Sequence, residues 1–178
     1  LAAGAKATHF GGGISSVDIL ATLYFAVMNY DVDNPTWEGR DRFILSKGHG
    51  VLGYYSTLAK AGFLTEGELS TYGQNGTILP KHPLINKNKG IEFTNGSLGM
   101  GLAVGIGNAI AAKRKGPMFR TFVLIGDGEC NEGSVWEAAM AAAHFQLDNL
   151  TAIVDRNKFQ QTGSNSDIMI SGDLCKKF

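Results

Sequence analysis

The alternation of apolar and polar positions is clearest between Thr121 and Gly163. Behind Thr121, the run Phe122-Val123-Leu124-Ile125 is uninterrupted and closes on Gly126, the pattern of a parallel strand buried on both faces. Gly126-Asp127-Gly128 breaks the chain. From Asn131 to Leu147 the apolar positions Val135, Trp136, Ala139, Ala143 and Leu147 recur at helical spacing. A polar turn at Asp148-Asn149 leads to a second apolar run, Leu150 to Val154, which reads as another buried strand and ends in Asp155-Arg156-Asn157. The predicted unit is strand–helix–strand with a right-handed crossover.

The same rhythm extends upstream. Ser15-Ser16 are positioned to cap a helix from Val17 to Met28, with Ile19, Leu20, Leu23 and Val27 facing inward. Asp41 to Ser46 reads as a strand, Lys47-Gly48-His49-Gly50 as its exit turn, and a helix follows to about Ala61. Thr65 with Glu68 forms a capping box on a short helix ending near Gly73. Leu79 to Pro83 is stiffened by two prolines. The helix from about Leu98 to Lys115 carries Gly101, Gly105 and Gly107, each costing about 1 kcal/mol of helix stability. That cost predicts close approach of another backbone, within the chain or across a subunit interface. Leu1 to Ala7 reads as the end of a helix, and Thr8 to Gly13 as a glycine-rich loop. The fold class predicted is α/β, a doubly wound, mainly parallel sheet in one domain over residues 1–178, with the candidate residues on one edge.

Charge narrows the functions. Sixteen basic and sixteen acidic residues cancel, which removes the electrostatic case for nucleic acid or an anionic membrane as partner. Cys130 and Cys175 make neither a disulfide framework nor a zinc spacing and suit a reducing compartment. Apolar runs are short and interrupted, and LAAGAKATHFGGG lacks a signal-peptide layout, so a cytoplasmic location is expected.

Parallel neighbouring strands finish on one edge of their sheet, so Asp127 and Asn157, thirty positions apart, are expected side by side. A carboxylate and an amide oxygen are hard ligands suited to Mg2+ or Ca2+. Gly128 and the helix start would offer N–H groups and a positive dipole end to a phosphate. The expectation is a metal–diphosphate site at the carboxyl edge of the sheet. On residues alone, a tight turn and a strand-end amide are the competing reading. His9, His49 and His82 each lie on a loop or strand-to-helix junction, where loop histidines without a role are equally at home. His144 reads as a packing or hydrogen-bonding residue, and Glu132 and Glu137 as surface acids.

Gly126-Asp127-Gly128 followed by Asn157 resembles the thiamine-diphosphate motif, and GDGECNEGSVWEA with DRNKFQQTG is similar to transketolase. The resemblance implies thiamine diphosphate held through Mg2+, with Ca2+ or Mn2+ as alternatives, and metal ligands Asp127, Asn157 and the carbonyl of Phe159. It implies cofactor contacts at His49, Gly126, Gly128 and Gln161, and at Gly96, Ser97 and Leu98 of the TNGSLGMG segment. THFGGG and KHP are similar to two family loops whose histidines face the sugar, which makes His9 and His82 catalytic candidates. Phe10 and Lys81 depart from the family pattern, and Lys81 hints at an extra phosphate-reaching cation. Glu132, a catalytic and cofactor-site candidate, and Glu137 fall among glutamates that link two cofactor sites of a dimer. The implied reaction moves a two-carbon ketol unit from a ketose phosphate to an aldose phosphate.

The resemblance also implies a partner. A glutamate on the aminopyrimidine ring comes from a pyrimidine-binding domain, in a C-terminal half or separate chain, and a further substrate histidine is expected beyond Phe178. The assembly implied is a dimer or heterotetramer, active only with that partner, and the family's domain is longer than this chain at both ends. ECNEGS and KHP are closer to split N-terminal subunits than to full-length enzymes. Deoxyxylulose-phosphate synthase and 2-oxo acid decarboxylating components share GDG and Asn157, but the ECNEG run and His82 argue against them. A non-catalytic scaffold of the same fold is the other alternative. The retention of Asp127, Asn157, His9, His49 and His82 argues against it.

Overall fold

The computed structural model describes residues 9–178. The helix end expected over Leu1 to Ala7 lies outside the described residues. The elements in chain order are α1 (Phe10–Ile14), α2 (Val17–Thr22), β1 (Arg42–Leu45), α3 (Val51–Lys60), α4 (Glu66–Ser70), α5 (Gly101–Lys115), β2 (Thr121–Gly126), α6 (Gly133–His144), β3 (Leu150–Asp155), β4 (Phe159–Gln160), β5 (Gly163–Ser164), α7 (Asn165–Ile168) and α8 (Leu174–Lys177).

Strands β1, β2 and β3 form a parallel sheet in that order, with Leu45 opposite Leu124 and Gly126 opposite Asp155. Successive side chains of a strand point to opposite faces, and both faces are covered. Phe43, Leu45, Phe122 and Leu124 join one core with Leu20, Leu23 and Tyr24 and with Leu52, Tyr55 and Leu58 of α3. Ile44, Val123 and Ile125 join a second core with Leu102, Ile106 and Ala109 of α5 and Val135 and Ala138 of α6. Helices on both faces of a parallel sheet make this a doubly wound α/β fold. Strands β4 and β5 form a small antiparallel hairpin beyond β3.

Several elements differ from their expected form. Strand β3 has Thr151 and Ala152 exposed, because it is an edge strand covered only in part. Helix α6 starts at Gly133, after a 3-10 turn over Glu129–Asn131 and an extended Glu132. Its buried positions are Val135 and Ala138, whereas Ala143 is exposed and Leu147 is buried from the turn beyond the helix. The expected glycine-rich loop contains helix α1, which lies on α3 backbone to backbone. A Cβ added to Gly53 would come within 2.5 Å of the Gly13 carbonyl oxygen. Helix α2 continues as a π-helical turn over Leu23–Val27, which buries Tyr24 and leaves Val27 exposed. Residues Phe10–Val27 together have the length and apolarity of a membrane-crossing helix. In the fold this stretch is broken at Ser15-Ser16, and Leu20, Leu23 and Tyr24 are packed into the core.

The glycines of α5 divide by what they face. A Cβ on Gly101 would meet Ser46, and one on Gly105 would meet Val123 Cγ2, each at 2.5 Å, while Gly107 faces open space. Gly105→Ala is therefore expected to destabilise by about 1–3 kcal/mol through overpacking. Gly107→Ala is expected to stabilise by about 0.5–1 kcal/mol through helix propensity. Thermal melts of the two variants check the opposite signs.

Candidate functional site

The carboxyl ends of β1, β2 and β3 deliver three loops to one edge, and the N-terminal segment 9–16 and the loops 80–84 and 94–100 close over them. Asp127 leaves β2 as a 2% exposed carboxylate. Its Oδ1 accepts the Gly128 N–H at 3.0 Å, and its Oδ2 accepts the Lys158 N–H at 2.8 Å. The second bond ties Asp127 to the residue after Asn157. Lys158 sits at φ 67°, a left-handed conformation that costs about 1 kcal/mol or more for a residue with a side chain. Asn157 Oδ1 accepts the Phe159 N–H at 2.9 Å, and its Nδ2 donates to Ser15 Oγ at 3.5 Å. Asp127 forms no salt bridge among the described residues. A buried carboxylate bonded to backbone N–H groups alone lacks a counter-charge, a deficit that a bound cation would fill, because buried charges are otherwise paired.

The three loop histidines are neighbours. The His9 ring lies 5.3 Å from that of His49 and 6.1 Å from that of His82, centroid to centroid. His49 stands on the 3-10 turn Gly48–Gly50 between β1 and α3. The segment 9–16 can pass it only because Gly12 lacks a side chain, since a Cβ there would lie 2.7 Å from His49 Cδ2. Burial first, then the nearby Lys47 cation and the other two rings, lower the His49 pKa to about 4, against the pull of Asp155. Burial and His9 lower that of His82. Both rings are thus neutral at pH 7. His82 is fixed from both sides, because Tyr55 Oη donates to the Pro80 carbonyl at 3.1 Å and the Asn95 N–H donates to the Pro83 carbonyl at 3.1 Å. Gly96 borders His82, with its added Cβ 4.0 Å from the ring.

The remaining candidates are spread around this centre. Gly96 and Ser97 are exposed and Leu98 half-buried, on the loop leading to α5. Glu132 is exposed at the N-cap of α6, against Gly99, and Glu137 is exposed in the helix body. Gln161 is at the tip of the β4–β5 hairpin with φ 53°, and the Phe159 side chain is exposed. Gly126 pairs with Asp155 at the end of the sheet. The Gly128 N–H, expected free for a phosphate, is instead donated to Asp127, and Gly128 lies beneath Gln160. Lys81 lays its stem beside Gly73, and His144 stands exposed with its ring edge-on to Phe145 at 4.9 Å.

Two buried polar clusters are not foreseen by the sequence pattern. Glu129 Oε1 accepts Ser46 Oγ at 2.5 Å and the Gly99 N–H at 2.7 Å, and Oε2 accepts the Gly126 N–H at 3.0 Å. One carboxylate thereby joins the exits of β1 and β2 to the loop before α5. Lys47 and Asp155 form a buried ion pair. Ser15 Oγ also donates to Asp155 at 2.6 Å, and Ser16 Oγ at 3.3 Å, in place of capping α2. The only signal in the sequence is a charge set close behind each apolar run.

Against this geometry, a family model described as transketolase, thiamine diphosphate binding domain, matches residues 2–178. The chain belongs to the transketolase family. It is 48% identical over 170 residues to one of the subunits of apulose-4-phosphate transketolase from Actinobacillus succinogenes, spanning 96% of this chain and 62% of that protein. It is 42% identical over 160 residues to the 6-deoxy-6-sulfo-D-fructose transketolase subunit SqwG of a Clostridium species, spanning 90% of this chain and 58% of the relative. The solved transketolase from Leishmania mexicana superposes with a TM-score of 0.83 at 34% identity, over 94% of this chain and 28% of that one. The chain thus spans about three-fifths of the subunit relatives and has the fold of the transketolase N-terminal domain.

The transketolase residues suit the family's cofactor. No cluster of three His, Cys, Asp or Glu side chains able to hold a metal occurs among the described residues. One buried carboxylate and one amide leave a divalent ion under-coordinated by protein, which fits an ion completed by phosphate oxygens and water.

Proposed function

We propose that this chain is the thiamine diphosphate-binding N-terminal part of a transketolase that moves a two-carbon ketol unit from a ketose phosphate to an aldose phosphate. It acts as a single domain together with a pyrimidine-binding partner domain or subunit, in a dimer or heterotetramer. The observation that carries this reading is Asp127, a buried carboxylate without an ion-pair partner, bonded across to the loop of Asn157. That the Actinobacillus relative is named as one subunit of its enzyme supports a split assembly.

In this reading Asp127, Asn157 and the Phe159 carbonyl hold Mg2+, which anchors the diphosphate and is not a source of hydroxide. When bound, thiamine diphosphate supplies the carbon nucleophile and electron sink for cleaving the ketose carbon–carbon bond. His49 and the backbone at Gly126 and Gly128 border the diphosphate, with Gln161 at its rim, and Gly96, Ser97 and Leu98 border the rest of the cofactor. His9 and His82 bind substrate hydroxyls and move a proton at the carbonyl oxygen. Glu132, exposed at the start of α6, faces the partner. The free cysteines suit a cytoplasmic setting.

The test is ketol transfer between sugar phosphates, measured beside pyruvate-dependent turnover with the partner chain present. Ketol transfer alone is expected, and pyruvate turnover alone would displace the reading. His82→Ala is expected to lower kcat/KM for the sugar by about 100-fold or more, with thiamine diphosphate affinity nearly unchanged. Collapse of cofactor affinity instead would show that His82 serves the cofactor.

A further inference from the structure

The Lys47–Asp155 pair lies behind the site. Lys47 is 0% exposed, with its Nζ bonded to Asp155 Oδ2 and 3.4 Å from Ser15 Oγ. Lys47 is two residues before His49, and Asp155 two before Asn157. Ser15 and Ser16 follow Gly12, whose carbonyl accepts Ser16 Oγ at 2.8 Å and whose backbone abuts the His49 ring. Ser15 Oγ is also reached by Asn157 Nδ2 at 3.5 Å. One buried charge pair therefore joins the segments that carry His9, His49 and Asn157, which lie far apart in the chain.

Desolvating two charges consumes most of their attraction, so a buried ion pair is a poor source of net stability. What it does enforce is a single arrangement, because any shift of one loop leaves a buried charge without its partner. We propose that Lys47 and Asp155, with the hydroxyls of Ser15 and Ser16, are positioning residues. They hold the three loops in the one register that binds thiamine diphosphate and its metal. The proposal rests on the functional reading above and deepens it. Neither side chain is catalytic, since Lys47 is closed off from any substrate.

The test compares Lys47→Met, Asp155→Leu and the double variant in the full-length protein with its partner chain present. Each single variant leaves one buried charge behind and is expected to melt earlier. The double variant replaces the pair by apolar groups and is expected to regain most of the parental Tm. It should nonetheless bind thiamine diphosphate with Mg2+ about 10–100-fold more weakly, the loss typical of residues that orient ligands. In the cofactor-free protein, amides over 12–16, 48–50 and 156–159 should exchange at least about tenfold faster, with β1 and β2 still protected. Should the double variant not fold, Asp155→Asn, nearly the same in shape, reads the same exchange. Parental affinity in the double variant, or parental exchange in these three segments, overturns the proposal. If the unmodified protein binds no thiamine diphosphate, the functional reading fails, while the cofactor-free exchange still decides the positioning role.

Discussion

Asp127→Ala is expected to abolish Mg2+-dependent binding of thiamine diphosphate, by at least about 100-fold or ~2.7 kcal/mol. Among the described residues at the strand ends, Asp127 is the carboxylate left to offer a cation its charge. Asn157 would contribute a neutral amide, Asp155 is committed to Lys47, and Glu129 is enclosed by Ser46 and the Gly99 and Gly126 N–H groups. Both of its oxygens already accept a backbone N–H, so its orientation is set before any ion arrives. Asp127→Asn separates charge from shape. An amide oxygen can still accept one of the two N–H groups, so this variant should fold, while its affinity for the metal-bound cofactor falls nearly as far. In the absence of ligand, Asp127→Asn should be modestly less stable than the parent, because its amide N–H2 faces one of the two backbone N–H groups, a cost that removal of the uncompensated buried charge offsets in part. Calorimetry of the assembled protein reads the affinity. Undiminished binding by Asp127→Ala would remove the metal assignment.

Glu129→Ala should produce a large loss of stability. Its carboxylate satisfies three buried donors, Ser46 Oγ and the N–H groups of Gly99 and Gly126. Each orphaned donor costs about 1–3 kcal/mol, so roughly 3 kcal/mol or more is expected in all. For a chain of this size that lowers Tm by about 6–12 °C. Glu129→Gln keeps the acceptor toward Ser46 and Gly99 but turns an amide N–H2 toward the Gly126 N–H, and should fall between the two. A melt of Glu129→Ala within about 2 °C of the parent would mean that water replaces the carboxylate at no cost.

The parts of this fold legible in the sequence are those governed by local pattern. Strand β2 lies between β1 and β3, and both β1 and β2 are covered on both faces, so Phe43 to Leu45 and Phe122 to Ile125 stand out as unbroken apolar runs. The Thr65–Glu68 capping box forms as the spacing predicts, with each side chain bonded to the other residue's backbone N–H. The periodicity predicts too long an α6 because helical spacing continues through Glu132 and Leu147. The chain leaves the helix at both places, at an extended Glu132 and a left-handed Gln146. Ser15 and Ser16 read as caps because capping is the commonest local use of serine at a helix start. Their hydroxyls are instead drawn to a carboxylate some 140 positions away.

The site divides along the same line. Parallel strands ending together are enough to put Asp127 beside the Asn157 loop, because sheet geometry converts sequence distance into spatial order. The grouping of His9, His49 and His82 depends on α1 lying on α3 through Gly13 and Gly53, which no local pattern encodes. The partners of Lys47, Asp155 and Glu129 are not legible in the sequence for a related reason. A buried charge announces that it needs a partner, but the sequence does not say which one.

The most direct measurement is the anomalous diffraction of Mn2+ in crystals of the assembled protein grown with thiamine diphosphate. The peak is expected within coordination distance, about 2–2.5 Å, of both an Asp127 carboxylate oxygen and Asn157 Oδ1, with phosphate oxygens completing the shell. A peak bonded to neither residue, or cofactor bound in full with no ion between them, would contradict the site proposed for this chain.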